Sequence, residues 1–224
     1  MSDWQKQAKD ADEAVSHLRS GMNVFVHGAA ATPSPLVEAM VRRKDLANIR
    51  LYHLHLEGPL PFADREHSDR FRSVSLFTGA GLRTAIAEGR ADFMPIFLSD
   101  IPALFKSGQI RLDAALLQLS PPDTHGLCTL GTSVDAALAA AMTAPILLAE
   151  VNARMPRTHG HSAIPLSRVD AFMATDRDLP SRAPQAESDV EARIGDLIAD
   201  LVEDGSCLQL GIGGIPDAVL SRLH

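Results

Sequence analysis

Two short apolar runs decide the fold of this chain, LDAALLQL at residues 112–119 and ILLAEV at residues 146–151. Each run has the length of a strand and few polar residues, which is typical of strands buried on both faces of a parallel sheet. The first run could also form a buried helical turn. The prolines and the glycine that follow it at residues 120–126 favour a strand that ends in a loop.

A helix is predicted between the two runs. Thr132 or Ser133 can serve as its N-cap, residues 134–143 are rich in alanine, and Pro145 closes it. Strand, loop, helix and strand make a βαβ unit, so the two strands should be parallel. Ligands of open α/β sheets bind at the carboxyl ends of the strands, and we therefore expect a site near the loops at residues 120–126 and 152–158.

The remaining residues up to 174 continue the alternation of strands and helices. A helix capped by Ser2 or Asp3 is predicted to run to Arg19, and Asp100 is predicted to cap another. The predicted strands are residues 23–27, 50–56, 71–77, 91–97 and 167–174, and the other predicted helices are residues 36–43, 81–88 and 101–107. This alternation predicts an α/β fold, with an open and mostly parallel sheet that has helices on both faces.

Composition changes after residue 174, which predicts two domains. Residues 1–174 form the first domain, and residues 175–187, with prolines and many charges, form a linker. Residues 188–224 are the start of a second, similar domain. The capping box Ser188-x-x-Glu191 opens its helix at residues 190–201, and residues 206–210 form a strand.

Overall charge and apolar content exclude several classes of function. The net charge is −7, and no basic stretch is dense enough to bind nucleic acid. The apolar runs are too short to span a membrane, and the polar N-terminus resembles no signal peptide. We expect a cytoplasmic protein that binds neither nucleic acid nor membrane. Its two cysteines, Cys128 and Cys207, are expected to be free.

The last loop is the clearest chemical feature of the sequence. It follows a predicted strand and precedes a helix that is predicted to begin at Pro216, and its five residues are Gly211, Ile212, Gly213, Gly214 and Ile215. Glycines at such a turn leave backbone N–H groups free for an anion. The spacing differs from the dinucleotide fingerprint and from the P-loop, so the sequence itself leaves the ligand open.

Several other residues invite a chemical role that the sequence alone supports weakly. His53 and His55 could bind zinc, but no third ligand stands at a suitable spacing, and no metal is expected. Cys128 near His125 is better explained as a packed cysteine, and Asp123 with His125 is an equally weak acid–base pair.

The stretch around MPRT, at residues 155–158, contains stronger candidates for a functional role. Glu150 ends a buried strand, and we expect it to bind loop N–H groups or to pair with Arg154 or Arg157 rather than to act in catalysis. Asn152 and Arg157 are better candidates for binding the carboxylate of a small acid, since the arginine fork matches that group.

Five stretches of the chain resemble the acetyl-CoA hydrolase/transferase family, which includes acetate and 4-hydroxybutyrate CoA-transferases. They are SPPDTHGLCTLGTSVD at residues 120–135, AEVNARMPRTHG at 149–160, FVHGAAATPSPLVEAM at 25–40, GRADFMPIFLSDIP at 89–102 and DGSCLQLGIGGIPDAV at 204–219. The resemblance covers nearly the whole chain and implies a fold of the CoA-transferase type.

In the family that these stretches resemble, a glutamate attacks the acyl-CoA and becomes a glutamyl-CoA thioester. The resemblance implies that residues 211–215 bind CoA and that Gly28 and Ala29 lie near the acyl group. It also implies a homodimer acting on acetyl-CoA and a small carboxylate. The short motif that carries the glutamate, similar to HTEM, is not found here, so we expect the nucleophile to lie past His224 and the 224 residues alone to be inactive.

Three alternatives stay open. Hydrolysis of acetyl-CoA is the sister activity, and it differs only in whether water reaches the thioester. A truncated or split half that merely binds a partner chain would explain the missing glutamate. A sugar-phosphate isomerase of the same broad fold could use residues 211–215 for phosphate, although the SPPD and MPRT motifs argue against it.

Overall fold

The structure is a computed structural model that describes residues 4–181, 183 and 186–223. Seven parallel strands form its main sheet, in the order β4-β3-β2-β1-β5-β7-β9, and β6 and β8 form a small antiparallel ribbon. The strands are β1 Asn23–Val26, β2 Ile49–His53, β3 Phe71–Ser75, β4 Ala91–Phe93, β5 Ala114–Leu119, β6 Leu127–Thr129, β7 Ile146–Asn152, β8 Ala163–Pro165 and β9 Ala171–Thr175. The predicted α/β class with a mostly parallel sheet is confirmed.

Helices follow most of the strands. The α-helices are α1 Ala11–Ala14, α2 Ser34–Arg42, α3 Arg83–Ala87, α4 Ile101–Lys106, α5 Ala137–Thr143, α6 Asp189–Ala199 and α7 Gly214–Leu220. Short 3-10 helices are Trp4–Gln7, Val15–His17, Pro61–Ala63, Arg65–His67, Ala80–Leu82, Leu98–Asp100 and Leu166–Arg168. No helix within the described residues is both long and apolar enough to cross a membrane.

Two apolar layers lie on opposite faces of the main sheet. On one face Val24, Val26 and Leu116 pack with α1, α2 and Ile86 of α3. On the other face Phe25 and Leu117 pack with α4 and the alanines of α5. Because side chains alternate along a strand, consecutive residues of β1 and β5 supply both layers, which is why these runs are apolar throughout.

The predicted βαβ unit is confirmed at residues 114–152. Strands β5 and β7 are parallel, with Gln118 opposite Glu150. The helix between them begins at Ala137, three residues later than predicted, and the prediction of Thr132 or Ser133 as its cap is wrong. Its first turn is held by Asp135, which accepts the N–H of Ala137 at 3.1 Å.

Three other boundaries differ from the predictions. The N-terminal helix is broken into short pieces, because Asp10 accepts the N–H of Glu13 and starts α1 there. Ser2 and Asp3, the predicted caps, lie outside the described residues. Asp100 precedes α4 without a side-chain cap bond. The last strand is Ala171–Thr175 rather than residues 167–174, since Leu166–Arg168 forms a 3-10 turn.

The chain forms two compact units, residues 1–180 and 181–224. In the second unit the capping box of Ser188 and Glu191 is present and opens α6. A Cβ on Gly195 would lie 2.9 Å from the carbonyl oxygen of Ala218, so this glycine lets α6 and α7 approach closely. Residues 206–210 are all described, but residues 206–209 are exposed and none of the five pairs with a strand, so that predicted strand is wrong.

Candidate functional site

The sheet has its topological switch point between β1 and β5. From there the strand order runs outward to β4 on one side and to β9 on the other. Helix α2 follows β1 on one face of the sheet and α5 follows β5 on the other, and it is at such a point that open α/β sheets bind ligands. Residues 27–33 and 120–126 lie at this edge, as the sequence predicts.

The loop after β1 packs tightly against the chain that leaves β2. A Cβ on Gly28 would lie 2.9 Å from the carbonyl oxygen of His55, and the N–H of Ala29 donates to that same oxygen at 2.9 Å. Ala29 has φ +51°, which is uncommon for a residue with a side chain. Local packing therefore explains why residue 28 is a glycine. Their contact with a substrate stays a prediction.

Thr32 connects this loop to its surroundings and is fully buried. Its hydroxyl donates to the carbonyl of Ala29 at 2.8 Å and accepts the N–H of Glu57 at 3.1 Å. Its carbonyl accepts the side-chain amide of Gln118 at 3.1 Å and the guanidinium of Arg177 at 2.9 Å. Four segments of the chain are thus joined at one residue.

Glu150 is fully buried and forms an ion pair with Arg177, not with Arg154 or Arg157 as expected. The Nε–H of Arg177 donates to one carboxylate oxygen at 2.6 Å, and its Nη2–H donates to the other at 2.9 Å. Thr175 donates a third hydrogen bond at 2.7 Å. Both oxygens of Glu150 are therefore occupied, which suits a structural carboxylate.

Asn152 has a partner for every polar atom of its amide. Its Nδ2 donates to the side-chain oxygen of Gln118 at 3.0 Å and to the carbonyl of Arg177 at 2.9 Å. Its Oδ1 accepts the N–H groups of Arg154 at 3.1 Å and Arg177 at 3.2 Å. A substrate carboxylate would have to displace one of these bonds, so the predicted role of Asn152 in binding stays a prediction.

Arg157 lies beside the loop after β5 and is partly exposed. It donates to the carboxylate of Asp123 at 2.6 Å and to the carbonyl of Leu127 at 2.8 Å. The N–H groups of Leu127 and His125 donate to Asp123 and, with Arg157, hold the pKa of its carboxyl below the usual range. Asp123 thus organises the loop as an ionised acceptor. Binding of a substrate by Arg157 stays a prediction.

The cysteine and histidine candidates have structural surroundings. Burial raises the pKa of the Cys128 thiol to about 12, so it is a poor nucleophile. His53 is buried, donates to the carbonyl of Leu54 and accepts from Ser73 at 2.8 Å, and desolvation lowers its pKa to about 4. His55 packs edge-on against Phe77. Among the described residues no group of three side chains could hold a metal ion.

His27 is a further buried histidine at the switch point, and the sequence analysis did not single it out. Its Nε2–H donates to the carbonyl of Ser133 at 2.6 Å, and its Nδ1 accepts the N–H of Gln118 at 3.2 Å. Desolvation lowers its pKa, which keeps the ring neutral and fixes this tautomer. The ring thereby joins the ends of β1 and β5 to the loop before α5.

The glycine loop of the second unit, residues 211–215, is described within that unit. Ile212 is 99% exposed, and Gly213 has φ +135°, which residues with a side chain rarely adopt. Helix α7 begins at Gly214, two residues before the predicted start. A Cβ there would clash with the carboxylate of Glu191 on α6, and the Glu191 side chain would have to move to admit it. Binding of CoA by the loop stays a prediction.

Arg177 is the residue that sequence reasoning missed. It stands in a charged stretch with prolines, which indicated a linker, and yet its side chain lies inside the first unit. Gln118 did leave a signal, because it is a polar residue in the middle of a buried strand. The sequence gives no signal for the role of Thr32, since a threonine before a helix is common.

Comparison with known proteins identifies the family. Residues 1–180 match the model of the acetyl-CoA hydrolase/transferase N-terminal domain. The chain is 49% identical to a succinyl-CoA:acetate/propanoyl-CoA:succinate CoA transferase of Fasciola hepatica, over 98% of this chain and 46% of that protein. It is 39% identical to a 4-hydroxybutyrate coenzyme A transferase of Clostridium kluyveri, over 97% of this chain and 52% of that protein.

A solved structure agrees with these matches. The crystal structure of a 4-hydroxybutyrate CoA-transferase from Porphyromonas gingivalis superposes with a TM-score of 0.82 at 35% identity, covering 98% of this chain and 52% of that one. The chain thus spans about half the length of the relatives it matches. With a family model that covers residues 1–180, this chain belongs to the acetyl-CoA hydrolase/transferase family.

Proposed function

We propose that this protein is a CoA-transferase that moves CoA between an acyl-CoA and a small carboxylate. The observation that carries the proposal is the match of residues 1–180 to the N-terminal domain of the family, together with relatives whose names are all those of CoA transferases. The position of Gly28 and Ala29 at the switch point of the sheet supports it, because open α/β sheets bind their ligands there.

The proposed donor is acetyl-CoA, and the proposed acceptors are 4-hydroxybutyrate and acetate. The names of the relatives add succinate to the acids that should be tried. Gly28, Ala29, Asn152 and Arg157 are the residues we propose to lie nearest the acid. The residues at 211–215 are proposed to bind CoA through their backbone N–H groups.

The proposed mechanism passes through a glutamyl-CoA thioester. A carboxylate nucleophile suits the exchange, because the glutamyl-CoA thioester that it forms is close in energy to the acyl-CoA substrate, so that CoA can pass reversibly between acids. Glu150 is a poor candidate, since both of its oxygens are hydrogen-bonded and its side chain is fully buried. We propose that the nucleophile belongs to residues outside these 224.

The test is an assay of CoA transfer from acetyl-CoA to 4-hydroxybutyrate and to succinate. The 224 residues are assayed alone, and then mixed with or fused to the half of the Clostridium kluyveri relative that they do not match. We expect no transfer from the 224 residues alone and transfer from the combined preparation. Intact-mass and peptide mass spectrometry should then detect CoA bound covalently to a glutamate of the added half. Transfer by the 224 residues alone would contradict the assignment of the nucleophile.

The same assay separates the alternatives. Free CoA in place of a new acyl-CoA would identify an acetyl-CoA hydrolase, which the family description includes. If neither preparation shows CoA transfer and the added half binds tightly, the 224 residues are better explained as a non-catalytic chain that only binds a partner. We also propose a homodimer, which the family resemblance supports, and a cytoplasmic location.

A further inference from the structure

A cluster of polar side chains grips the chain where it leaves the last strand of the main sheet. Glu150 and Asn152 lie at the carboxyl end of β7 and point to the same face, because they are two residues apart on one strand. Thr175 lies opposite Asn152 at the end of β9. We call Glu150, Asn152, Thr175 and Arg177 the exit clasp. Of its four residues, only Asn152 has a role in the proposed transfer reaction.

The exit clasp holds both the backbone and the side chain of Arg177. The amide of Asn152 accepts the N–H of Arg177 and donates to its carbonyl, at 3.2 and 2.9 Å. Glu150 receives the guanidinium in a two-bond fork. A residue held at its backbone and at its charged end has almost no freedom to move, so its remaining donors are fixed in space.

One of those fixed donors reaches the loop after β1. The Nη2 of Arg177 donates to the carbonyl of Thr32 at 2.9 Å, across 145 positions of sequence. Thr32 in turn holds the carbonyl of Ala29 and the N–H of Glu57 through its hydroxyl. Arg177 therefore links the exit segment to the loop that carries Gly28 and Ala29.

We propose that Arg177 is a positioning residue for the loop at residues 28–33. It acts through Thr32 and keeps Ala29 in its left-handed backbone conformation, φ +51°, with the loop N–H groups in a single arrangement. The effect of Arg177 on transfer rests on the proposed function, because the loop must contact the acid for its position to matter.

An arginine is required for this role rather than a lysine. The fork satisfies both oxygens of the fully buried Glu150 and still supplies a donor to Thr32. A lysine ammonium has a single nitrogen and cannot meet three oxygens spread over this distance with planar geometry. The substitution Arg177→Lys should therefore behave as a partial loss.

The experiment measures amide hydrogen exchange in the peptide that contains residues 28–33, in the natural protein. Arg177→Met is compared with Arg154→Met, a matched control, because Arg154 pairs only at the surface with Asp176 and Asp178 of the same segment. The double variant Glu150→Gln, Arg177→Met removes the buried charge and serves if the single variant fails to fold. The KM for the acid, the KM for acyl-CoA and kcat are measured in parallel.

We expect exchange in residues 28–33 to become about tenfold faster in Arg177→Met and in the double variant, the size expected for the loss of a charge-assisted hydrogen bond. Arg154→Met should leave it unchanged. The KM for the acid should rise about tenfold while the KM for acyl-CoA stays the same, and Arg177→Lys should lie between.

Equal exchange in the Arg177 and Arg154 variants would overturn the proposal. Faster exchange with an unchanged KM for the acid would overturn the link between the loop and acid binding. Faster exchange in a protein that shows no CoA transfer even without substitution would contradict the proposed function, and the positioning role of Arg177 would stand.

Discussion

Two regions of this chain have the same pattern in sequence and differ in structure. Residues 23–42 and residues 206–220 each consist of an apolar run, a loop of small residues and a helix that has a proline within its first three positions. In the first region the apolar run is β1, hydrogen-bonded to β2 and β5 and almost completely buried. In the second region the corresponding residues are mostly exposed and pair with no strand, although the structure describes all of them.

The difference shows which features depend on neighbours. A helix satisfies its backbone hydrogen bonds within itself, and so α2 and α7 both form. A strand satisfies them only against another strand, and within the described part of the second unit none lies beside residues 206–210. The same pattern therefore guarantees a helix but not a strand.

The largest effect is expected from a substitution in the loop of the second region. Gly213→Val in the protein that performs transfer should lower kcat/KM by a factor of about a thousand or more, because the side chain blocks approach to the backbone N–H groups. Gly205→Val is the control for backbone strain, since Gly205 also has a positive φ, +82°, and lies outside the loop. Equal losses in both variants, by steady-state kinetics, would remove residues 211–215 from the site.

Truncating a side chain in β1 should lower the free energy of unfolding by several kcal/mol more than truncating one in residues 206–210. Phe25→Ala in β1 should lower the free energy of unfolding of the first unit by about 3–5 kcal/mol, because Phe25 is fully buried against Phe105. Leu208→Ala should change the second unit by less than about 0.5 kcal/mol. Urea unfolding followed by the fluorescence of Trp4, the one tryptophan of the chain, reports on the first unit, and amide exchange of α6 reports on the second.

A large effect of Leu208→Ala would contradict this comparison. It would mean that residues 206–210 are packed in solution as firmly as β1.

The buried histidines make the first unit sensitive to acid. The pKa of His53 is about 4 when folded and near 6.5 when unfolded, so between these values the unfolded state binds more protons. Stability should therefore fall as pH drops from 6.5 to 4, by about 3 kcal/mol from this residue. The pKa of His27 is lowered as well, and its contribution has the same sign.

Urea unfolding at several values of pH, followed by Trp4, checks this expectation. His53→Gln should reduce the slope of stability against pH between pH 6.5 and 4, with the part due to His27 remaining, and the exposed His159→Gln is its control. An identical slope in both variants would show that His53 is not the group that titrates.

The smallest effect concerns the helix cap of the second unit. Ser188→Ala removes the side-chain acceptor of the Glu191 N–H and should destabilise α6 by about 1 kcal/mol. Amide exchange of residues 189–199 should rise about fivefold, while the Trp4 transition of the first unit stays unchanged. A shift of the Trp4 transition would show that the stabilities of the two units are coupled.

Much of the fold could be read from local patterns. The apolar runs at β1, β5 and β7 indicated strands, because burial on both faces requires such runs, and alternation of apolar and polar residues indicated β2. Boundaries were less certain where a side chain competes for the backbone, as Asp10 and Asp135 do at the starts of α1 and α5. The ribbon of β6 and β8 was missed, since three residues are too few for a pattern.

The candidate site could be predicted in place but not in detail. Chain order and parallel pairing put the loops after β1, β5 and β7 at one edge, so their neighbourhood followed from the sequence. The partner of Glu150 did not. Four arginines, at positions 154, 157, 168 and 177, follow it within 27 residues, and only the pairing of β7 with β9 brings Arg177 to its carboxylate.

The sequence by itself determined the class of fold, the family and the helix caps that depend on a few adjacent residues, such as Ser188 with Glu191. Tertiary structure alone decided which polar groups meet: Arg177 with Thr32, Gln118 with Asn152, and His27 with Ser133. The physical reason is the distance along the chain over which each effect acts. Propensity, capping and apolar periodicity act over a few residues, whereas a buried charge takes as its partner whichever group the packing of distant strands brings within hydrogen-bonding distance.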